Sequence, residues 1–226
     1  MLRLRSREIY ANRHPAAAIL VGMFDSLSLS NIAVVIVCLL VSITVHEFMH
    51  AYAGYRLGDD TAFESGRVSF NPLHHIDPVM TVLLPAVTLL LFHAPILAAK
   101  PVPFDPRQVR YGEYGAALLA LAGPLSNLAM ATIAALLLRT ADFGMFFDQV
   151  LSFFVELNVA LFVFNMIPIP PLDGSRVLYA FAPEALQDLL RQIEPFGFYI
   201  IFALVLFGGL GGFLSSLNQM VLNLLP

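Results

Sequence analysis

Apolar runs of about 20 residues recur along this 226-residue chain, and runs of that length are what a helix needs to cross a bilayer at 1.5 Å per residue. Five segments qualify: residues 31–55, 78–99, 114–138, 147–167 and 196–217. Only 12% of the chain is charged and 58% is hydrophobic, where a soluble domain carries roughly 25% charged residues. The expectation is an all-α integral membrane protein, a bundle of about five to six transmembrane helices in one membrane-embedded domain over residues 1–226. The count is open because Phe207-Gly-Gly-Leu-Gly-Gly-Phe213 can end the last span and start a separate helix. The second segment, with Pro85, His93 and Pro95, can be a full span or re-entrant. A scattered net charge of −4 excludes a nucleic-acid surface, and the single cysteine, Cys38, cannot form an internal disulfide.

Cationic loops tend to stay in the cytoplasm. If all five segments cross, Arg3, Arg5, Arg7, Arg13, Lys100, Arg107, Arg110, Arg176 and Arg191 share one side, against Arg56, Arg67 and Arg139 on the other. This places the N-terminus in the cytoplasm of a multi-pass protein. The short run 16–24, interrupted afterwards by Asp25 and followed by no small-residue cleavage site, does not read as a removable signal. Absent targeting sequences favour a prokaryotic inner membrane. Between spans, residues 58–77 contain the strand-like Arg67-Val-Ser-Phe70 and suggest a short β-ribbon. Residues 183–193 put Leu186, Leu189, Leu190 and Ile193 on one face of an amphipathic surface helix.

The first span contains His46-Glu-Phe-Met-His50. Histidines four apart share one helix face and can hold one zinc ion, while Glu47, turned about 100° away, is placed to act on a water as general base and then general acid. Imidazoles and a carboxylate inside a lipid-spanning helix are costly unless paired or bound to an ion, which weighs against a chance occurrence. A catalytic zinc site has three protein ligands and an open position. His74, His75, Asp77, His93, Asp105, Glu156 and Asp173 are candidates for the third. Asp173 follows the proline-broken turn Asn165-Met-Ile-Pro-Ile-Pro-Pro-Leu-Asp173, whose irregular backbone at membrane depth must line protein or a watery cavity. It could equally cap the next helix, and the residues alone leave those two readings level.

The motifs together resemble the site-2 protease family of intramembrane zinc metalloproteases. They are His46-Glu-Phe-Met-His50, Asn71-Pro-Leu-His-His-Ile-Asp-Pro78, Ala99-Lys-Pro-Val-Pro-Phe-Asp-Pro-Arg-Gln-Val-Arg110, Ala122-Gly-Pro-Leu-Ser-Asn127 and residues 165–178. The resemblance covers most of the chain and is to the compact branch, with no stretch that could form an inserted PDZ or CBS domain. It implies Asp173 as the third ligand beside His46 and His50, one zinc per chain, and Glu47 as the catalytic base. It also implies transmembrane protein substrates cut within the lipid bilayer, as in regulated intramembrane proteolysis. A membrane zinc carrier or non-proteolytic zinc-binding protein is the alternative, against which Glu47 speaks, because a carrier needs no carboxylate beside its ligands. Asn127 and Asn165 are candidate substrate or oxyanion contacts, with helix-to-helix hydrogen bonding as their other reading. Glu156 has no partner visible in the sequence. No oligomeric state or specific substrate follows from the residues.

Overall fold

The computed structural model describes residues 29–75, 102–206 and 211–226, and among these the regular structure is entirely helical. In chain order the helices are α1 (Leu29–Arg56), α2 (Gly112–Thr140), α3 (Met145–Asn165), α4 (Asp173–Phe181), α5 (Glu184–Ile193), α6 (Gly197–Leu206) and α7 (Gly211–Leu224). Three of them, α1 to α3, are long and apolar enough to cross a membrane, and they correspond to the first, third and fourth expected spans. The expected second span, 78–99, lies outside the described residues. Within and beyond the fifth lie α6 and α7, of 10 and 14 residues, on either side of residues 207–210, which lie outside the described residues.

Helix α2 is the centre of the bundle, packed against α1, α3 and α4. Most of its buried residues are small, Gly115, Ala116, Ala117, Ala120, Gly123, Ala131, Ala134 and Ala135, with Leu119, Pro124 and Asn127 buried among them. Lipid gives apolar helices little reason to associate, so close backbone approach through small residues supplies the contact instead. Val155, Val159 and Val163 of α3 pack on Ala131, Ala134 and Ala135, with Leu214, Leu217 and Val221 of α7 against the same cluster. Phe153 and Leu157 of α3 meet Val35 and Cys38 of α1. Larger residues such as Ile36, Val37, Leu118 and Ile133 point outward, where hydrocarbon rather than water would meet them.

The end of α1 and the start of α2 lie at one end of the bundle. The Arg110 amide donates to the Leu57 carbonyl at 2.8 Å, and the Asp105 amide donates to Oδ2 of Asp59 at 2.9 Å. Asp59 is 1% exposed and also accepts from the Thr61 amide. The Arg107 side chain and amide, hydrogen-bonded to Asp105, hold that carboxyl well below the usual carboxylate range. The expectation that, with all five segments crossing, Arg56 and Arg67 lie on the side opposite Arg107 and Arg110 is therefore corrected. Hydropathy counts every apolar run as a crossing, whereas these hydrogen bonds tie the two flanks of 78–99 together.

No strand occurs among the described residues, and the expected ribbon is a compact loop as far as residue 75. It contains one helical turn, Thr61–Glu64, and a 3₁₀ turn, Pro72–His74. The carbonyls that a ribbon would pair are taken by side chains. Gly66 O meets His74 Nδ1 at 2.6 Å, Ser69 O meets His75 Nε2 at 2.7 Å, and the Arg67 guanidinium donates to His74 O. Phe70 stacks on Phe48 of α1 at 3.9 Å and fastens the loop to the bundle. Residues 76 and 77 lie outside the described residues. The amphipathic helix expected at 183–193 is α5, which buries Leu190.

Candidate metal centre

Helix α1 places His46 and His50 one turn apart, 8% and 6% exposed, with their Nε2 atoms 2.9 Å from each other. Asp173 reaches them from α4. Its Oδ2 lies 3.4 Å from His46 Nε2 and 3.2 Å from His50 Nε2. Asp173 is the first residue of α4, with Leu172 at the N-cap position and no side-chain cap bond, so the carboxylate faces the histidines rather than capping the helix. Tight turns in the proline segment swing it into place, the Ile169 and Leu172 amides donating to the Ile167 and Ile169 carbonyls. Gly174 makes the approach possible: a Cβ there would stand 2.3 Å from the Met166 carbonyl oxygen.

The chemistry of these atoms fits a cation. His50 Nδ1 lies 2.8 Å from the Leu119 carbonyl, which can only accept, so Nδ1 carries a hydrogen and in the neutral ring Nε2 presents a bare lone pair. That lone pair and a carboxylate oxygen point at the same small volume, which no arrangement of neutral acceptors satisfies. Ligands at about 2.0–2.1 Å on the corners of a tetrahedron are about 3.3 Å apart, close to the three separations seen here.

Among the described residues, His46, His50 and Asp173 form the group able to hold a metal ion, and Glu47, 8% exposed, stands beside it rather than in it. Asn127 is fully buried with Oδ1 2.6 Å from His46 Nδ1, so it touches the back of the histidine. Asn165 donates from Nδ2 to the Leu161 carbonyl on its own helix at 3.0 Å. His75 is turned to Ser69 O, and Glu156 buries Oε2 without a hydrogen-bond partner; neither joins the group. Sequence reading passed over Gly123, Ser42 and Asn158. A Cβ on Gly123 would stand 2.2 Å from His50 Nε2 and 2.7 Å from His46 Cε1. The only sign in the sequence was its place four residues before Asn127 in the Ala122–Asn127 motif.

Gly123→Ala should therefore cut zinc content to near none relative to the unsubstituted chain, measured by elemental analysis of purified protein. Gly212→Ala, where a Cβ meets nothing within 4 Å, should leave zinc unchanged. Full zinc in Gly123→Ala would show that the histidines are not held as described.

Known proteins similar to this chain point to one family. Residues 138–208 match the model of Peptidase family M50. YwhC of Bacillus subtilis (strain 168) is 36% identical over 185 residues, covering 78% of this chain and 81% of that protein. Rip2 of Mycobacterium tuberculosis (strain H37Rv) is 31% identical over 179 residues, with 74% and 64% covered. MJ0611 of Methanocaldococcus jannaschii is 31% identical over 133 residues, with 59% and 62% covered. All three bear the name "Putative zinc metalloprotease". No solved structure matches. With a relative this similar over four-fifths of its length, three apolar helices of spanning length and the matched family model, the chain belongs to peptidase family M50, the site-2 proteases, and is a membrane zinc metallopeptidase.

Proposed function

We propose that this chain hydrolyses peptide bonds in transmembrane segments of other membrane proteins, with His46, His50 and Asp173 holding one zinc ion and Glu47 as general base. The observation that carries the proposal is the convergence of two imidazole nitrogens and a carboxylate oxygen, 2.9 to 3.4 Å apart, beside a carboxylate that is not one of the three. Bound there, zinc supplies Lewis acidity, which polarises a peptide carbonyl and makes water acidic enough to lose a proton near neutral pH. Glu47 takes one proton from the attacking water as its oxygen bonds to the carbonyl carbon. It then delivers that proton to the peptide nitrogen as the C–N bond breaks, leaving a carboxyl and an amine. Burial of His46, Glu47 and His50 within the bundle keeps bulk water from competing for these groups. A transmembrane helix conceals its carbonyls in its own hydrogen bonds, so the substrate must unwind locally before attack.

The arrangement of cations supports a cytoplasmic site. Among the described residues Arg56, Arg67, Arg107, Arg110, Arg176 and Arg191 lie at the end of the bundle that carries Asp173, and Arg139 alone lies at the other. Loops rich in arginine stay inside, so the metal end faces the cytoplasm and the α2–α3 turn faces away. This orientation puts the start of α1, at Leu29, on the side away from the cytoplasm, against the expectation of a cytoplasmic N-terminus, although residues 1–28 themselves lie outside the described residues. In a Cys38→Ser background, Asp142→Cys in intact bacterial cells should react with a membrane-impermeant maleimide, and Gln187→Cys only after lysis. The reverse pattern would invert the orientation.

Glu47→Gln keeps size and packing while removing the proton acceptor. It should retain one zinc per chain and lose cleavage of a transmembrane peptide by at least about 100-fold, the lower range for general acid–base catalysis. Asp173→Ala should lose zinc and activity together. A loss of less than tenfold in Glu47→Gln would remove it as the base. Zinc transport across liposomes by wild type and Glu47→Gln alike, with no cleavage by either, would favour a carrier.

A further inference from the structure

The polar atoms behind His46 form a closed circuit through all three long helices. Asn158 of α3 donates from Nδ2 to the Phe154 carbonyl and to Ser42 Oγ of α1, each at 2.9 Å. Its Oδ1 accepts from Asn127 Nδ2 of α2 at 2.9 Å, and Asn127 Oδ1 lies 2.6 Å from His46 Nδ1, back on α1 one turn after Ser42. Ser42, Asn127 and Asn158 are each 0% exposed.

The direction of every bond in this circuit follows from one end. The Phe154 carbonyl has no hydrogen, so the amide of Asn158 must turn its nitrogen toward it, and both Nδ2 hydrogens are then used. Its oxygen is left facing Asn127, which fixes the Asn127 nitrogen on that side and the Asn127 oxygen on His46. Nδ1 of His46 must therefore carry the hydrogen, and Nε2 must present its lone pair toward His50 and Asp173. A backbone carbonyl on α3 thus sets the tautomer of a histidine on α1.

We propose that Asn127, Asn158 and Ser42 are positioning residues that hold His46 in its metal-binding tautomer and fix the rotation of α1 about its axis. This rests on His46 being a zinc ligand. It assigns Asn127 a supporting role in place of the substrate or oxyanion contact that its sequence position suggests, since its Oδ1 and one Nδ2 hydrogen are committed and none of it reaches the surface. Partners behind a ligating histidine change metal affinity by roughly 10- to 100-fold when lost.

The test is zinc affinity by chelator competition on the detergent-purified full chain, with the visible spectrum of the cobalt-substituted protein as a report on ligand geometry. Asn127→Leu and Asn158→Leu should each weaken zinc at least tenfold and alter the cobalt bands. Asn127→Asp keeps an acceptor on His46 Nδ1 and should bind within about threefold of wild type. Val155→Ala, which opens the packed face of α3 without touching the circuit, should lower Tm but leave affinity and spectrum unchanged. Wild-type affinity in a folded Asn158→Leu would overturn the proposal. If neither leucine variant folds, Asn127→Asp decides: a tenfold loss overturns the relay, and retention sustains it. Failure of the wild type itself to bind zinc would instead count against the ligand assignment.

Discussion

The structure turns on three electron-rich atoms, two imidazole nitrogens and one carboxylate oxygen, drawn to within 3.4 Å of one another inside an apolar bundle. Each is unfavourable in such surroundings without a partner. While both imidazoles are neutral with the hydrogen on Nδ1, none of the three can donate to the others, and a cation bound among them makes their meeting stable. The rest of the bundle can be read as the means of bringing these atoms together. Alanines and glycines draw α2 against α1, Gly123 leaves the space that the imidazoles fill, and Gly174 lets α4 start hard against the end of α3.

Much of this was legible in the sequence because the controlling physics is local. The three long helices follow from hydropathy, and His46, Glu47 and His50 follow from helical spacing within one of them. Asp173 was legible only as an acid after a broken backbone. The residues alone left it divided between ligand and cap until the family resemblance favoured the ligand, and what sets its direction is the docking of Gly174 on Met166 and Ile167, a contact between elements. The Arg67–Phe70 alternation suggested a strand, but alternation is silent about where histidine and arginine side chains will go, and here they capture the loop's own carbonyls. Hydropathy likewise could not reveal that residues 57–59 and 105–110 meet at one end of the bundle, because a run of apolar residues carries no record of where its flanks return.

Asn127 and Asn158 show the same limit at the level of single atoms. An amide in an apolar span is conspicuous, yet its role depends on which end of the amide faces which neighbour, and those neighbours lie 31 residues away on α3 and 81 residues away on α1. Interhelical hydrogen bonds of this sort are of modest strength individually, on the order of 1 kcal/mol. Their value here lies in direction, since they align one imidazole for the metal and link the three spans at the depth of the site.

The most direct measurement is zinc K-edge X-ray absorption on the purified wild-type chain. The account predicts one zinc per chain with two imidazole nitrogens and a carboxylate oxygen in its inner shell, at about 2.0–2.2 Å. Inner-shell scattering from sulfur, or from oxygen alone with no imidazole signature, would contradict it.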